Sequence, residues 1–292
     1  MYTMLGAGAI GLKGYPLADS ISLARQSGFD AVQFDLRDAA SLAEARGIDH
    51  VTSLFADAGV RPGVWNLPVA WRDDARRLDD LAGLPRLMEV ARALDCPRAT
   101  SGIMPGSDER PFAENLAWHV ERLGPVAAAL ARDGCVLGLE FIGPTTFRAP
   151  FAHEFIYTLG GIIDLARHLG AGNVGVLLDA WHLYTSGDAV SNMAGLTAAD
   201  IVAVHVNDAP PGIPIAEQVD NARALPVETG VIEIVPFMRA LVDIGFDGPV
   251  MPEPFSQALD DLAARDPAAA AREAARTMAN LWSAAGLDRP VR

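Results

Sequence analysis

Asn173-Val-Gly-Val-Leu-Leu-Asp179 is a run of small and apolar residues that stops at a carboxylate. A short, nearly continuous Val/Leu run of this kind reads as a strand buried on both faces, the state of strands in parallel sheets. Three more runs share the design. Cys135-Val-Leu-Gly-Leu-Glu140 precedes it, and Ile201-Val-Ala-Val-His205 and Pro249-Val-Met-Pro-Glu253 follow. Outward from these, the pattern predicts strands at Met4–Ile10, Ala31–Leu36, Arg61–Leu67, Arg98–Met104, Val136–Ile142, Val174–Ala180, Ile201–Asp208 and Pro249–Phe255.

Amphipathic stretches separate the strands. Pro16 opens the first, with Leu17, Ile21 and Ala24 on one face and Gly28 just past its end. Asp73 is placed to cap the third, where Leu78, Leu81, Leu87, Val90 and Leu94 recur at helical spacing and Pro85 splits or restarts the helix. Asp266 and Pro267 form a cap and first-turn pair for a last helix reaching about Ala285. Eight strand-then-helix units in one array predict an α/β fold, a single (β/α)8 TIM barrel over residues 1–292. Gly6-Ala-Gly8-Ala-Ile-Gly11 spells a dinucleotide-binding GxGxxG, but Leu12–Pro16 reads as loop where that motif needs a helix.

The formal net charge of −14 disfavours phosphate backbones and anionic lipid, so neither nucleic acid nor a membrane surface is an expected partner. Cys96 and Cys135 lie in apolar stretches without CxxC spacing, which fits a reduced, cytoplasmic setting.

In a barrel, chemistry collects at the C-terminal strand ends, and inward positions alternate with outward ones. Counting back by two from Glu140, Asp179, His205 and Glu253 meets Gly138, Leu177, Ala203 and Met251, all uncharged, as a crowded interior requires. Three acids and an imidazole thus converge on one mouth. Alone, the acids would repel one another and take up protons; one divalent cation removes that conflict. The oxygen-rich ligand set suits Mn²⁺ foremost, with Co²⁺, Mg²⁺ or Zn²⁺ as alternatives. After the third strand, Trp65, Asn66 and Trp71 are candidates for a sugar-stacking wall. Arg148 and His153 fall on the fifth loop, while His50, His119 and His168 read as structural or solvated.

Leu139-Glu140-Phe-Ile-Gly-Pro144, Val174-Gly-Val-Leu-Leu-Asp179-Ala-Trp-His182, Val204-His205-Val-Asn-Asp208 and Phe246-Asp-Gly-Pro-Val-Met-Pro-Glu253 resemble the xylose isomerase-like TIM-barrel superfamily. The likeness is greatest to its sugar phosphate isomerase/epimerase group, particularly inosose isomerase-like proteins. It implies a metal held by Glu140, Asp179, His205 and Glu253. It also implies that Glu140 and Glu253 double as acid and base, and that His182 and Arg223 touch substrate oxygens. Asn207 and Val227-Glu228-Thr229-Gly230 depart from the pattern of the relatives at positions that bear on substrate identity.

The expected activity is therefore isomerisation or epimerisation of a small sugar, keto-polyol or inosose by proton transfer next to a carbonyl, through a metal-stabilised enediolate. Acidic residues on the last two loops (Glu217, Asp220, Glu228, Asp260, Asp261) argue for a non-phosphorylated substrate. A metal-dependent dehydratase and a non-catalytic sugar-binding barrel are the alternatives, and a homo-oligomer is left open. A DNA-repair endonuclease on this barrel would need more histidines and a basic groove.

Overall fold

The computed structural model describes residues 1–287. Eight parallel strands form a closed barrel: β1 (Tyr2–Leu5), β2 (Ala31–Phe34), β3 (Arg61–Asn66), β4 (Arg98–Ile103), β5 (Val136–Phe141), β6 (Val174–Asp179), β7 (Ile201–Val206) and β8 (Pro249–Pro252). Each strand pairs with its sequence neighbours, and β8 closes on β1 through Tyr2 opposite Pro249 and Thr3 opposite Val250. Among the described residues, no helix is long and apolar enough to cross a membrane.

Two hydrophobic layers follow from the strand alternation. Met4, Ala31, Val64, Leu177, Ala203 and Met251 fill the barrel interior, while a larger layer lies between the strands and the surrounding helices. Leu177, Ala203 and Met251 are therefore inward, and the residues two positions on (Asp179, His205, Glu253) inherit that direction at the mouth. Small residues make the spacing work. A Cβ on Gly138 would lie 2.9 Å from Val202 Cβ, and one on Gly175 would lie 2.5 Å from the Asp200 carbonyl oxygen.

Strand ends differ from the sequence expectation in one consistent way. β1 lies over Tyr2–Leu5, and Ala7–Ile10 winds into a 3-10 turn closed by Gly11 at φ 91°. The Gly/Ala run there carries no β-branched or aromatic preference for extension. No helix follows at once, which removes the dinucleotide reading of Gly6–Gly11. β8 stops at Pro252, which has no N–H to donate to a ladder.

The first helix, Leu17–Ser27, starts after Pro16 and ends at Gly28 with φ 83°. The last, Pro267–Ala285, is capped by Asp266, whose carboxylate accepts from the Ala269 N–H at 2.9 Å. Pro85 neither splits nor restarts its helix, which runs unbroken over Arg77–Ala93. Leu84, Met88 and Ala91 are buried around it, and that packing outweighs the lost backbone bond. Leu78, expected on the buried face, is 61% exposed, and the Asp73 carboxylate accepts from Ala75 N–H in the turn ahead of the helix.

Cys96 and Cys135 are buried free thiols, pushed up to about 12 and about 11 by burial. His119 is also buried. Its Nδ1–H donates to the Asn115 carbonyl at 2.7 Å, and its ring stacks on Phe155 with centroids 4.6 Å apart. Burial pushes its pKa down to about 4, so the ring is neutral.

Candidate metal centre and active site

Glu140 is the fifth residue of β5, Asp179 ends β6, and His205 lies opposite Asp179 in β7. Glu253 follows the end of β8, its N–H held by the Val206 carbonyl at 3.0 Å. One ligand atom from each of the four residues falls within 4.8 Å of all the others. His205 Nδ1 is the hub, 3.4 Å from Glu140 Oε1, 3.3 Å from Glu253 Oε2 and 4.0 Å from Asp179 Oδ2.

The donor set tests its own fitness for a cation. Both His205 ring nitrogens and Glu140 Oε1 are buried without a hydrogen-bond partner. Such orphaned atoms are costly to leave unsatisfied, and a metal ion would satisfy Nδ1 and the carboxylate together. The electrostatics agree. Burial raises the Glu140 carboxyl above its ordinary range. At His205 burial works to lower the pKa, but the Glu253 and Glu140 carboxylates, 3.3 and 3.4 Å from Nδ1, outweigh it and drive it well up. A doubly charged ion held among these groups would oppose both shifts. Asp179 is different: burial opposes its ionisation, and the Arg223 charge overrides this to hold the carboxyl below its usual range.

Arg223 is buried and bridges two of the acids, with Nη1 2.8 Å from Asp179 Oδ2 and 2.9 Å from Glu253 Oε2. Asp220 steadies it through Oδ1 at 3.0 Å and its carbonyl at 2.9 Å. Asn207 donates to the remaining Asp179 oxygen at 2.9 Å, as does the Trp181 N–H at 2.8 Å. The loop that carries Arg223 is tied by one buried carboxylate. Asp208 accepts from the N–H groups of Ala209, Thr229, Gly230, Val231 and Ile232.

Glu140, His205 and Glu253 line a cavity of ≈ 260 Å³ at the mouth, together with Gln33, Asn66, Thr100, Ser101 and Phe255. Asn66 therefore borders the cavity. Trp65 does not: it is fully buried, its indole N–H donating to the Cys96 carbonyl at 2.9 Å. Adjacent strand residues point to opposite faces, so Asn66 at the mouth sends Trp65 outward into the helix-facing core. Trp71 is buried against Trp118 and His119, and its indole reaches only as far as Ser101 Oγ, at 3.1 Å.

His182, 1% exposed, lies behind the acids, its Nδ1 accepting from Gly143 N–H and its Nε2 3.4 Å from Arg223. Neither His182 nor Arg223 borders the cavity; Arg223 bonds Asp179 and Glu253 directly, and His182 Nε2 lies 3.8 Å from Asp179 Oδ2. Arg148 clamps its own loop through the Gly143 carbonyl and Glu154. Gln33 and Thr100 also border the cavity and carry no conspicuous sequence signal, although counting two residues on from inward Ala31 reaches Gln33.

An eight-stranded barrel carrying three acids and an imidazole at its C-terminal mouth defines a metal-competent (β/α)8 barrel. The family model of xylose isomerase-like TIM barrels matches residues 21–281, and the chain belongs to that family. An inosose isomerase from Halalkalibacterium halodurans is 21% identical over 258 residues, 87% of this chain and 88% of the relative. The crystallised xylose isomerase domain protein of Alicyclobacillus acidocaldarius is 26% identical with a TM-score of 0.85, covering 98% of this chain and 99% of the other. A zinc-bound IolI protein is 19% identical with a TM-score of 0.78 over 98% of both chains, a likeness of fold.

Proposed function

We propose that the protein is a divalent-metal-dependent isomerase or epimerase that moves a proton next to the carbonyl of a small, non-phosphorylated sugar, keto-polyol or inosose. The observation that carries this reading is the cluster of Glu140, Asp179, His205 and Glu253, with ligand atoms within 4.8 Å of one another at the barrel mouth. The inosose isomerase relative and the zinc-bound neighbour support it. The four residues would hold one ion, with Mn²⁺ best matched to their oxygen-rich set and Co²⁺, Mg²⁺ and Zn²⁺ also accommodated. Bound there, the ion supplies Lewis-acid chemistry toward the substrate's carbonyl and neighbouring hydroxyl oxygens.

The protein's own part is proton transfer and positioning. One oxygen of each glutamate lies beside His205, which leaves Glu140 Oε2 and Glu253 Oε1 without a hydrogen bond among the described residues. Both side chains border the cavity. One glutamate removes the proton from the carbon next to the carbonyl, and the other returns a proton to the opposite face of that carbon or to the former carbonyl carbon, in which case the hydroxyl proton passes to the former carbonyl oxygen. Their settings are unlike: burial favours a proton on Glu140, while Arg223 Nη1 donates to Glu253. Unlike settings are what separate an acid from a base. Arg223, backed by Asp220 and His182, fixes Asp179 and Glu253, and Asn66 and Gln33 are placed to meet substrate hydroxyls.

The test is isotope exchange. Mn²⁺-loaded protein incubated in D₂O with D-fructose or an inosose is expected to gain deuterium at the carbon beside the carbonyl, with product mass otherwise unchanged. Loss of water from the product would shift the assignment to the dehydratase alternative. No exchange with ketoses or inososes would refute the proposal.

A further inference from the structure

A second cavity of ≈ 260 Å³ opens beside the first, between the loop after β1 and the end of β2. The two share Gly8, Gln33 and Asn66, and Gln33 Nε2 donates to Asn66 Oδ1 at 3.1 Å, so this amide pair forms the ridge between them. Each volume alone falls just below the roughly 300–1,000 Å³ of small-molecule sites; joined, they lie within it. The outer cavity has its own polar equipment. Ser20 is 5% exposed and borders the cavity, yet its hydroxyl has no hydrogen-bond partner among the described residues. Asp35 and Asp38 border it as well, and neither forms an ion pair with a described residue. Asp35 spends one oxygen capping the helix Leu36–Arg46, through Arg37 N–H at 2.7 Å, and keeps the other. Tyr15 and Phe34 supply apolar surface, and among the described residues no Lys, Arg or His borders the space.

We infer that the substrate has two parts, a reacting carbonyl end in the inner cavity and a second, uncharged hydroxylated ring in the outer one. Carboxylates accept hydrogen bonds and cannot donate them, so Asp35 and Asp38 match hydroxyl donors and repel a phosphate tail. The aromatic surface of Tyr15 matches the C–H face of a sugar ring. The inference rests on the proposed sugar chemistry only for where the reacting end sits.

Calorimetric titration of the full-length, Mn²⁺-loaded protein tests it, with D-fructose, D-fructose 6-phosphate and the ketose disaccharides isomaltulose and lactulose as probes. At least one disaccharide is expected to bind about tenfold more tightly than D-fructose, the worth of two added hydrogen bonds. The phosphate ester should bind no better than D-fructose. Ser20→Ala and Asp38→Asn should each remove part of the disaccharide advantage and leave D-fructose binding unchanged, with circular dichroism reporting their folding. Disaccharides that bind no more tightly than D-fructose, or variants that weaken both sugars equally, overturn the inference. Disaccharide binding that depends on Ser20 and Asp38 without any deuterium exchange would keep the outer subsite and sink the proposed reaction. Exchange with D-fructose without a disaccharide advantage would do the reverse.

Discussion

Strands β5–β8 bring Glu140, Asp179, His205 and Glu253 to the barrel mouth, whereas β2–β4 bring Gln33, Asn66, Thr100 and Ser101 to the same rim. At the inner cavity the first set is charged and the second is neutral. Two histidines record the contrast. His205 and His119 are both 3% exposed, so burial disfavours the charged form of each. At His119 burial wins, and the ring stays neutral. At His205 the carboxylates win, and the ring is driven to hold a proton. Burial alone therefore does not set a histidine's charge; the count of acids within about 4 Å does. In functional terms, the charged half is suited to hold an ion and move protons, and the neutral half is suited to recognise hydroxyl groups.

The largest effect should come from the charged half. Glu140→Gln and Glu253→Gln each keep the shape of the side chain and remove a proton carrier. Each is expected to cut the rate of deuterium exchange by about 10²–10⁴-fold. Loss of less than about tenfold in both would show that neither glutamate handles the proton.

Arg223→Met comes next. It leaves Asp179 and Glu253 facing each other without their cation, and breaking a buried pair on one side typically costs about 3–5 kcal/mol. Urea unfolding of the metal-free variant should show a loss of that size, and added Mn²⁺ should recover a large part of it. A variant as stable as the parent would mean that the arginine is not what holds the acids together.

His119, buried on the helix Phe112–Arg132 away from the acid cluster, makes its own prediction. Its folded pKa of about 4 lies below the unfolded value of roughly 6.5, so the unfolded chain binds more protons between those limits. Stability contributed by the neutral ring is complete above pH ~6.5 and is lost as the pH falls toward ~4, by at most about 3 kcal/mol. The difference in unfolding free energy between the parent and His119→Gln should change with pH over that window. A constant difference would remove His119 from the acid response. The smallest effect belongs to Asn66→Ala, which should raise KM about two- to tenfold and leave kcat nearly unchanged, as expected for one lost substrate hydrogen bond.

The same contrast explains what could be read in the sequence. A carboxylate or imidazole ending an apolar run is conspicuous, and period-2 counting fixes its direction, so the four clustered residues were legible together with the barrel. Gln33 and Thr100 are neutral and stand out from no background, although the same counting applies to them. Trp65 was misplaced because an aromatic beside a strand end suggests sugar stacking, whereas alternation with Asn66 sends it to the other face. Arg223 and His182 sit on loop and helix segments whose course depends on long-range bonds, such as those converging on Asp208 from residues 229–232. No local pattern encodes that.

Calorimetric titration of metal-free protein with Mn²⁺ in buffers of different ionisation enthalpy tests the shared-ion claim most directly. One ion should bind per chain with release of protons, because His205 must be neutral to act as a ligand, and both Asp179→Asn and His205→Ala should weaken binding severely. Absence of binding, or binding that survives both substitutions without proton release, would contradict it.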